Sequence, residues 1–263
     1  MKLLRKIKYK LKYYISSEPR PEKWVFIAGC SNSGTSLLSA ILSMHPLIGS
    51  LPDEGQFCTN QLPLNRNIGQ KRLWAIPPEK MYMDENSETT IDLTKLKKQW
   101  AVRFNNVKST ILLEKSPPNT VRLRWLQANF KNAFFIGIHR NGYAVAEGIK
   151  RKVGHPVELG AKQWANANQI LLTDFDHLHN KLLISYERLT EQPEETIQDI
   201  CSFLEITPPL DSEKINSTFK IHGQINKIKN MNDISIKNLS MNELRIIEAE
   251  AGNMLERMNY LNT

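Results

Sequence analysis

The stretch Trp24-Val25-Phe26-Ile27-Ala28-Gly29-Cys30-Ser31-Asn32-Ser33-Gly34-Thr35-Ser36 decides the fold. Its first five residues are apolar, with β-branched and aromatic members, and suit a buried strand. Residues 29–34 form a small polar loop. Residues 35–44 then place Leu37, Leu38, Ile41 and Leu42 at helical spacing, and His45-Pro46 ends the helix. The spacing of the loop is G-x-x-x-x-G-x-[ST]. Backbone N–H groups at a helix N-terminus lack intrahelical partners, and the helix dipole adds positive potential, so an anion is favoured there. Glycines let the backbone approach it, and Ser33, Thr35 and Ser36 offer hydroxyl donors. The alternative is a Gly/Ser turn that binds nothing.

Outward from this unit the same alternation continues. Residues 111–114 read as a second strand and 120–130 as a helix. A third strand is expected at 133–138, helices at 142–152 and 157–177, and a fourth strand at 181–185. A helix follows Pro193, and a last one begins at Ser240, where Glu243 completes a capping box. Its apolar stripe is Leu244, Ile247, Ala251, Leu255 and Met258. Strands alternating with helices imply an α/β fold, three-layered and P-loop-like, with a mostly parallel central sheet flanked by helices. Residues 47–108, with their prolines, Gly55 and Gly69, are expected to be a surface excursion. It carries short helices near 78–84 and 93–104 and helps shape an acceptor site.

The loop lacks the residue that ATP hydrolysis needs. Thr35 stands where a nucleoside triphosphatase has its phosphate-reaching lysine. The third strand ends in Ile138-His139-Arg140, so it offers no magnesium-binding aspartate. The site suits a phosphate better than it suits a P-loop small-molecule kinase.

The chain has 263 residues, 41% of them hydrophobic and 24% charged, which is ordinary for a globular domain. Its net charge of +8 is unevenly placed. Residues 1–23 hold eight bases and two acids, and the rest holds 27 bases against 25 acids. The body is nearly balanced, and no aromatic-basic pattern points to nucleic acid. Residues 1–22 read as a basic leader and linker, with Leu3, Leu4, Ile7, Leu11, Tyr14 and Ile15 on one helical face. Peripheral contact with an anionic membrane is one expectation for that face, and packing on its own domain is the other. Three cysteines, Cys30, Cys58 and Cys201, form no disulfide or zinc pattern. With no apolar run long enough to span a bilayer, a cytoplasmic protein is expected.

With its flanks, the 24–38 stretch followed by His45-Pro46 resembles the 5′-phosphosulfate loop of the sulfotransferases that use 3′-phosphoadenosine 5′-phosphosulfate (PAPS). Three further motifs follow in that family's order: Leu113-Glu114-Lys115-Ser116-Pro117; residues 135–145 around Arg140; and Tyr186-Glu187-Arg188-Leu189 with Pro193 and Phe203-Leu204-Glu205-Ile206. The resemblance covers roughly 23–263 and implies transfer of a sulfuryl group from PAPS to an acceptor hydroxyl or amine, with no metal. The acceptor would be a small molecule, glycan or peptide. It further implies that Gly29, Ser31, Asn32, Ser33, Gly34, Thr35 and Ser36 cradle the 5′-phosphate. Arg140 would clamp the 3′-phosphate, with a surface ion pair as its alternative, and Lys115 would neutralise the leaving phosphate oxygen. Tyr186 would contact the adenosine or sit in the core.

Glu54 resembles the general base of the protein-tyrosine and glycan branches. The small-molecule branch uses a histidine in the second-strand region, and none stands at 111–117. Asp53 competes with Glu54 for the role. Two positions depart from the family pattern: Asn32 replaces a usual Arg or Lys, and Gly148 replaces a usual serine of the 3′-phosphate motif. These departures keep open a second reading, a non-catalytic nucleotide or sulfated-ligand binder.

Overall fold

The computed structural model describes residues 2–64, 71–221 and 224–261. A helix α1 (Lys2–Ile15) leads into β1 (Lys23–Ala28), α2 (Thr35–Leu42) and β2 (Ile48–Ser50). The chain continues through α3 (Leu93–Ala101), β3 (Ile111–Lys115), α4 (Leu123–Asn129), β4 (Ala133–His139), α5 (Gly142–Val153) and α6 (Val157–Phe175). Next come β5 (Lys181–Ser185), α7 (Tyr186–Glu191), α8 (Pro193–Phe203) and α9 (Ser212–Ile215). A short antiparallel hairpin, β6 (Phe219–Ile221) and β7 (Gln224–Asn226), precedes α10 (Asn232–Lys237) and α11 (Met241–Arg257).

The main sheet has the order β2-β3-β1-β4-β5, and every pairing in it is parallel. Alternate residues of β1 point to opposite faces. Val25 and Ile27 pack with Leu38 and Ile41 of α2 and Ile197 and Ile200 of α8. Trp24 and Phe26 pack with Trp100 of α3 and Phe130, whose ring lies 5.1 and 5.0 Å from theirs. Because helices cover both faces, β1 has no polar side and reads as a continuous apolar run. Beside the sheet, α5, α6 and α11 enclose a third cluster that includes Tyr143, Trp164 and Leu255.

The helix termini obey local rules visible in the chain. Pro193 sits in the first turn of α8, where no N–H is needed. The Ser240 hydroxyl accepts the Glu243 amide while the Glu243 carboxylate accepts the Ser240 amide, closing the expected capping box. In α11, Ile247, Ala251 and Leu255 are buried, as the stripe requires.

Two expectations need correction. Residues 47–108 are not only a surface excursion. Ile48–Ser50 is the edge strand of the main sheet, and Leu62, Trp74, Leu96 and Trp100 are core residues. Three residues are too few to show alternation, so β2 left no periodic signal. Part of the excursion, residues 65–70, lies outside the described residues. The leader also packs by a different face. The Arg103 guanidinium lies 4.6 Å from the Tyr9 ring and the Lys98 ammonium 5.9 Å from that of Tyr13, while Lys97 pairs with Glu18 at 3.0 Å. Leu11, Tyr14 and Ile15 of the expected stripe face outward, at 63%, 78% and 77% exposure. Among the described residues no helix is long and apolar enough to cross a membrane.

Candidate active site

The chain leaves β1 towards β2 and β3 on one side and towards β4 and β5 on the other, so a crevice opens at the carboxyl ends of the strands. Each of those ends delivers a candidate residue. The loop follows β1, Glu54 lies just beyond β2, Lys115 ends β3, Arg140 follows β4 and Tyr186 follows β5. The crevice holds a cavity of about 460 Å³. Of the expected site residues, Ser31, Asn32, Gly34, Thr35, Ser36, Glu54, Arg140, Gly148 and Tyr186 line it. Gly29, Ser33 and Lys115 are not among its lining residues, and Lys115 pairs with Glu54, which is.

The loop owes its shape to its two glycines. Gly29 has φ +145°, and a Cβ there would stand 2.1 Å from the Ile138 carbonyl oxygen. Its amide donates to Thr120 Oγ1 at 2.9 Å. Gly34 has φ +95°, and a Cβ would meet the Tyr186 ring at 2.7 Å. Only glycine meets both demands at these two positions. Ser33 is fully buried, yet its hydroxyl has no partner among the described residues. A buried hydroxyl without a partner at a helix N-terminus fits a phosphate oxygen as its acceptor.

Arg140 is held on three sides. Its Nε donates to Asn232 Oδ1 at 2.8 Å, its Nη1 donates to the Asn32 carbonyl at 2.9 Å, and its guanidinium stacks 4.2 Å from the centre of the Tyr186 ring. Nη2 is buried without a partner among the described residues. Burial lowers the Arg140 pKa, but an arginine stays charged. The surface-pair alternative is thereby excluded: this is a buried, oriented cation with one donor to spare. Tyr186 serves it as a platform. The Tyr186 hydroxyl donates to the Lys229 carbonyl at 2.9 Å and accepts the Met231 amide at 3.1 Å, which fixes the segment that brings in Asn232.

Glu54 Oε1 lies 3.7 Å from Lys115 Nζ, and Glu54 Oε2 accepts Gln56 Nε2 at 2.6 Å. Asp53 instead turns to the backbone and accepts the Glu54 amide at 2.8 Å. The Glu54 loop is tied to β3 from below. Fully buried Glu114 accepts the Gly55 amide at 2.7 Å, the Ser116 hydroxyl at 2.5 Å and Asn119 Nδ2 at 2.5 Å. Burial pushes the Glu114 pKa up, while these donors and Arg122 oppose the shift. Arg122 is fully buried as well, and burial lowers its pKa to about 10.

Four cations of the cavity wall escaped the sequence reading: Lys71, Arg72, Arg151 and Lys152. Arg72 Nη1 donates to Asn32 Oδ1 at 2.9 Å. The Lys152 pKa falls to about 8, first from desolvation and then from the charges of Arg72, Arg151 and Arg140, although the residue reaches solvent. Residues 150–152 read only as the end of the 142–152 helix, and nothing in the excursion signalled that Arg72 returns to the loop. A positive wall around orphaned donors suits a multiply anionic ligand. Among the described residues no group of three or more His, Cys, Asp or Glu side chains is placed to hold a metal ion.

The model of the sulfotransferase family matches residues 25–210. Protein-tyrosine sulfotransferase 1 of Danio rerio is 28% identical over 194 residues, covering 69% of this chain and 53% of that protein. The chain therefore spans about half the length of this relative. The sulfotransferase domain of the Synechococcus PCC 7002 olefin synthase superposes with a TM-score of 0.59 at 18% identity, over 88% of this chain and 95% of that one. The sulfotransferase domain from the curacin biosynthetic pathway gives 0.54 at 18% identity, over 92% and 99%. At these identities the two structures speak for the shared fold.

Proposed function

The chain belongs to the sulfotransferase family, and from that premise we propose that it transfers a sulfuryl group from PAPS to an acceptor hydroxyl. The observation that carries this reading is the pairing of two features in one crevice. One is a set of buried donors without partners among the described residues, Ser33 Oγ and Arg140 Nη2, and the other is the Glu54–Lys115 ion pair. A binding protein would need the first alone.

In this reading the loop amides at 34–36 and the Ser33 hydroxyl hold the 5′-phosphate. Arg140, stacked on Tyr186, holds the 3′-phosphate with its spare Nη2. The donor supplies an activated sulfuryl group, and no metal takes part. Glu54 accepts the acceptor's proton as the acceptor oxygen bonds to sulfur. The bond between sulfur and the 5′-phosphate oxygen breaks, and its electron pair leaves with adenosine 3′,5′-bisphosphate. Lys115 sets its positive charge against the negative charge that grows on that oxygen. Gln56 and Lys115 together orient the Glu54 carboxylate, so alignment precedes the reaction.

The acceptor is the less defined partner. Small alcohols, glycans and tyrosyl peptides are all compatible with a cavity that the excursion helps to wall, and Phe57 and Val153 add apolar surface to it. Incubating the protein with PAPS and a panel of these classes, then searching by mass spectrometry for the gain of one sulfuryl group, tests the function. Gain on one class supports it, and gain on none refutes it. For α1 we propose peripheral contact with an anionic membrane. Its support is the outward Leu11, Tyr14 and Ile15 beside the exposed Lys10 and Lys12.

A further inference from the structure

The loop that holds the donor has no charged side chain of its own: residues 29–36 contain only Gly, Cys, Ser, Asn and Thr. The structure supplies a charge from elsewhere. Arg72, forty residues along the chain, returns to the loop and donates from Nη1 to Asn32 Oδ1 at 2.9 Å. The return is firmly built. Next to Arg72, Leu73, Trp74 and Ala75 are all buried. Trp74 Nε1 donates to Ser31 Oγ at 3.3 Å, the Ala75 amide donates to Gln163 Oε1 at 2.8 Å, and Asn166 Nδ2 donates to the Ala75 carbonyl at 2.9 Å. The strap 71–75 is thus fastened to the loop at one end and to α6 at the other.

Arg72 itself adopts φ +63°, a left-handed conformation that costs free energy in a non-glycine residue. Asn32 likewise has φ +71°. Two left-handed residues face each other, and their side chains meet. Arg72 is half-buried, and the Glu54 carboxylate helps to hold its charge against the desolvation that lowers its pKa. Arg72, Glu54 and the loop line the same cavity. A guanidinium carries five N–H donors, so beyond the one given to Asn32 it has others to offer an anion that arrives there.

We infer that Arg72 is the cation that neutralises the phosphosulfate end of the donor, and that Asn32 is the positioning residue that holds it there. This rests on the PAPS reading above. The excursion then serves the donor as well as the acceptor. The charge lacking on the loop is not lost to the site, because a strap brings it in.

The test uses the full chain and compares wild type with Arg72→Gln, Arg72→Lys, Asn32→Ala and the Asn32→Ala/Arg72→Gln double variant. Two readouts are taken: calorimetric affinity for adenosine 3′,5′-bisphosphate, and kcat and KM with labelled PAPS. Wild type must bind the bisphosphate and transfer label. If it does neither, the PAPS reading itself has failed. Given wild-type transfer, R72Q should lower kcat/KM by roughly 100-fold, with a smaller loss of bisphosphate affinity, and R72K should recover part of both. N32A should lose several-fold alone and nothing further in the R72Q background, since Asn32 acts through Arg72. An R72Q enzyme with wild-type affinity and turnover would overturn the inference. So would additive losses in the double variant. Should R72Q fail to fold, R72K and N32A still decide the matter: wild-type behaviour in both would overturn it.

Discussion

A Cβ placed on Gly148 would stand 3.0 Å from Asn32 Nδ2 and 3.1 Å from Asn32 Cγ. The two departures from the family pattern, unrelated in the sequence, are therefore one event in space. The carboxamide of Asn32 occupies the room that a side chain at position 148 would take, and from that room it holds Arg72. Gly148→Ser should push Asn32 aside. Serine in place of glycine also recovers about 0.5 kcal/mol of helix propensity, so the melting temperature should move little. Bisphosphate affinity should fall by about tenfold, ~1.4 kcal/mol. G148S combined with N32A should be no weaker than N32A alone. An affinity equal to wild type in G148S would break the link between the two positions.

Glu114 organises the floor beneath Glu54. It is fully buried and accepts three hydrogen bonds, one of them from the Gly55 amide, with buried Arg122 close enough to affect its charge. Glu114→Gln removes the counter-charge to Arg122 and should destabilise the fold by about 3 kcal/mol or more. Chemical denaturation measures this, and a loss below about 0.5 kcal/mol would show that the pair is not a structural element.

Lys152 gives the site a pH dependence of known sign. Its pKa is lowered to about 8. Below that pH its ammonium is charged and available to a phosphate, and above it the charge is lost. A bound anion favours the charged form, so bisphosphate binding near pH 8 should take up protons. Affinity should also decline as the pH rises further. Calorimetry in buffers of different ionisation enthalpy reads the uptake, and Lys152→Met should abolish it. Proton-neutral binding by wild type at this pH would contradict the assignment.

The leader can be separated from the chemistry. Tyr9 and Tyr13 rest on α3, while Leu11, Tyr14 and Ile15 face outward. Removing residues 1–15 should leave turnover unchanged and reduce co-sedimentation with vesicles rich in anionic lipid. Equal sedimentation of both forms would remove the membrane role, and loss of turnover in a folded protein would place the leader in the site.

Much of this architecture was legible because local chemistry dictated it. Residues 24–36 declared strand, loop and helix through an apolar run, two glycines and helical spacing, and the loop is where they said it would be. Pro193 and the Ser240–Glu243 pair announced their helix starts by stereochemistry alone. Arg140 and Tyr186 could be placed at strand ends, but their stacking could not be foreseen, because it depends on how far apart β4 and β5 lie. Residues 47–108 were misread as mainly surface. Trp74 and Trp100 are buried by partners distant in sequence, and no periodicity marks them. Arg72 left no signal at all. Its role depends on a single tertiary hydrogen bond to Asn32.

We propose that this crevice transfers a sulfuryl group with Glu54 as the base, and transfer of label from PAPS by wild type and by Glu54→Gln puts that to the test. Wild type should label an acceptor. E54Q should keep its affinity for adenosine 3′,5′-bisphosphate but lose roughly 10²- to 10⁴-fold in kcat. A wild-type protein that labels no acceptor class, or an E54Q variant that turns over as fast as wild type, would contradict it.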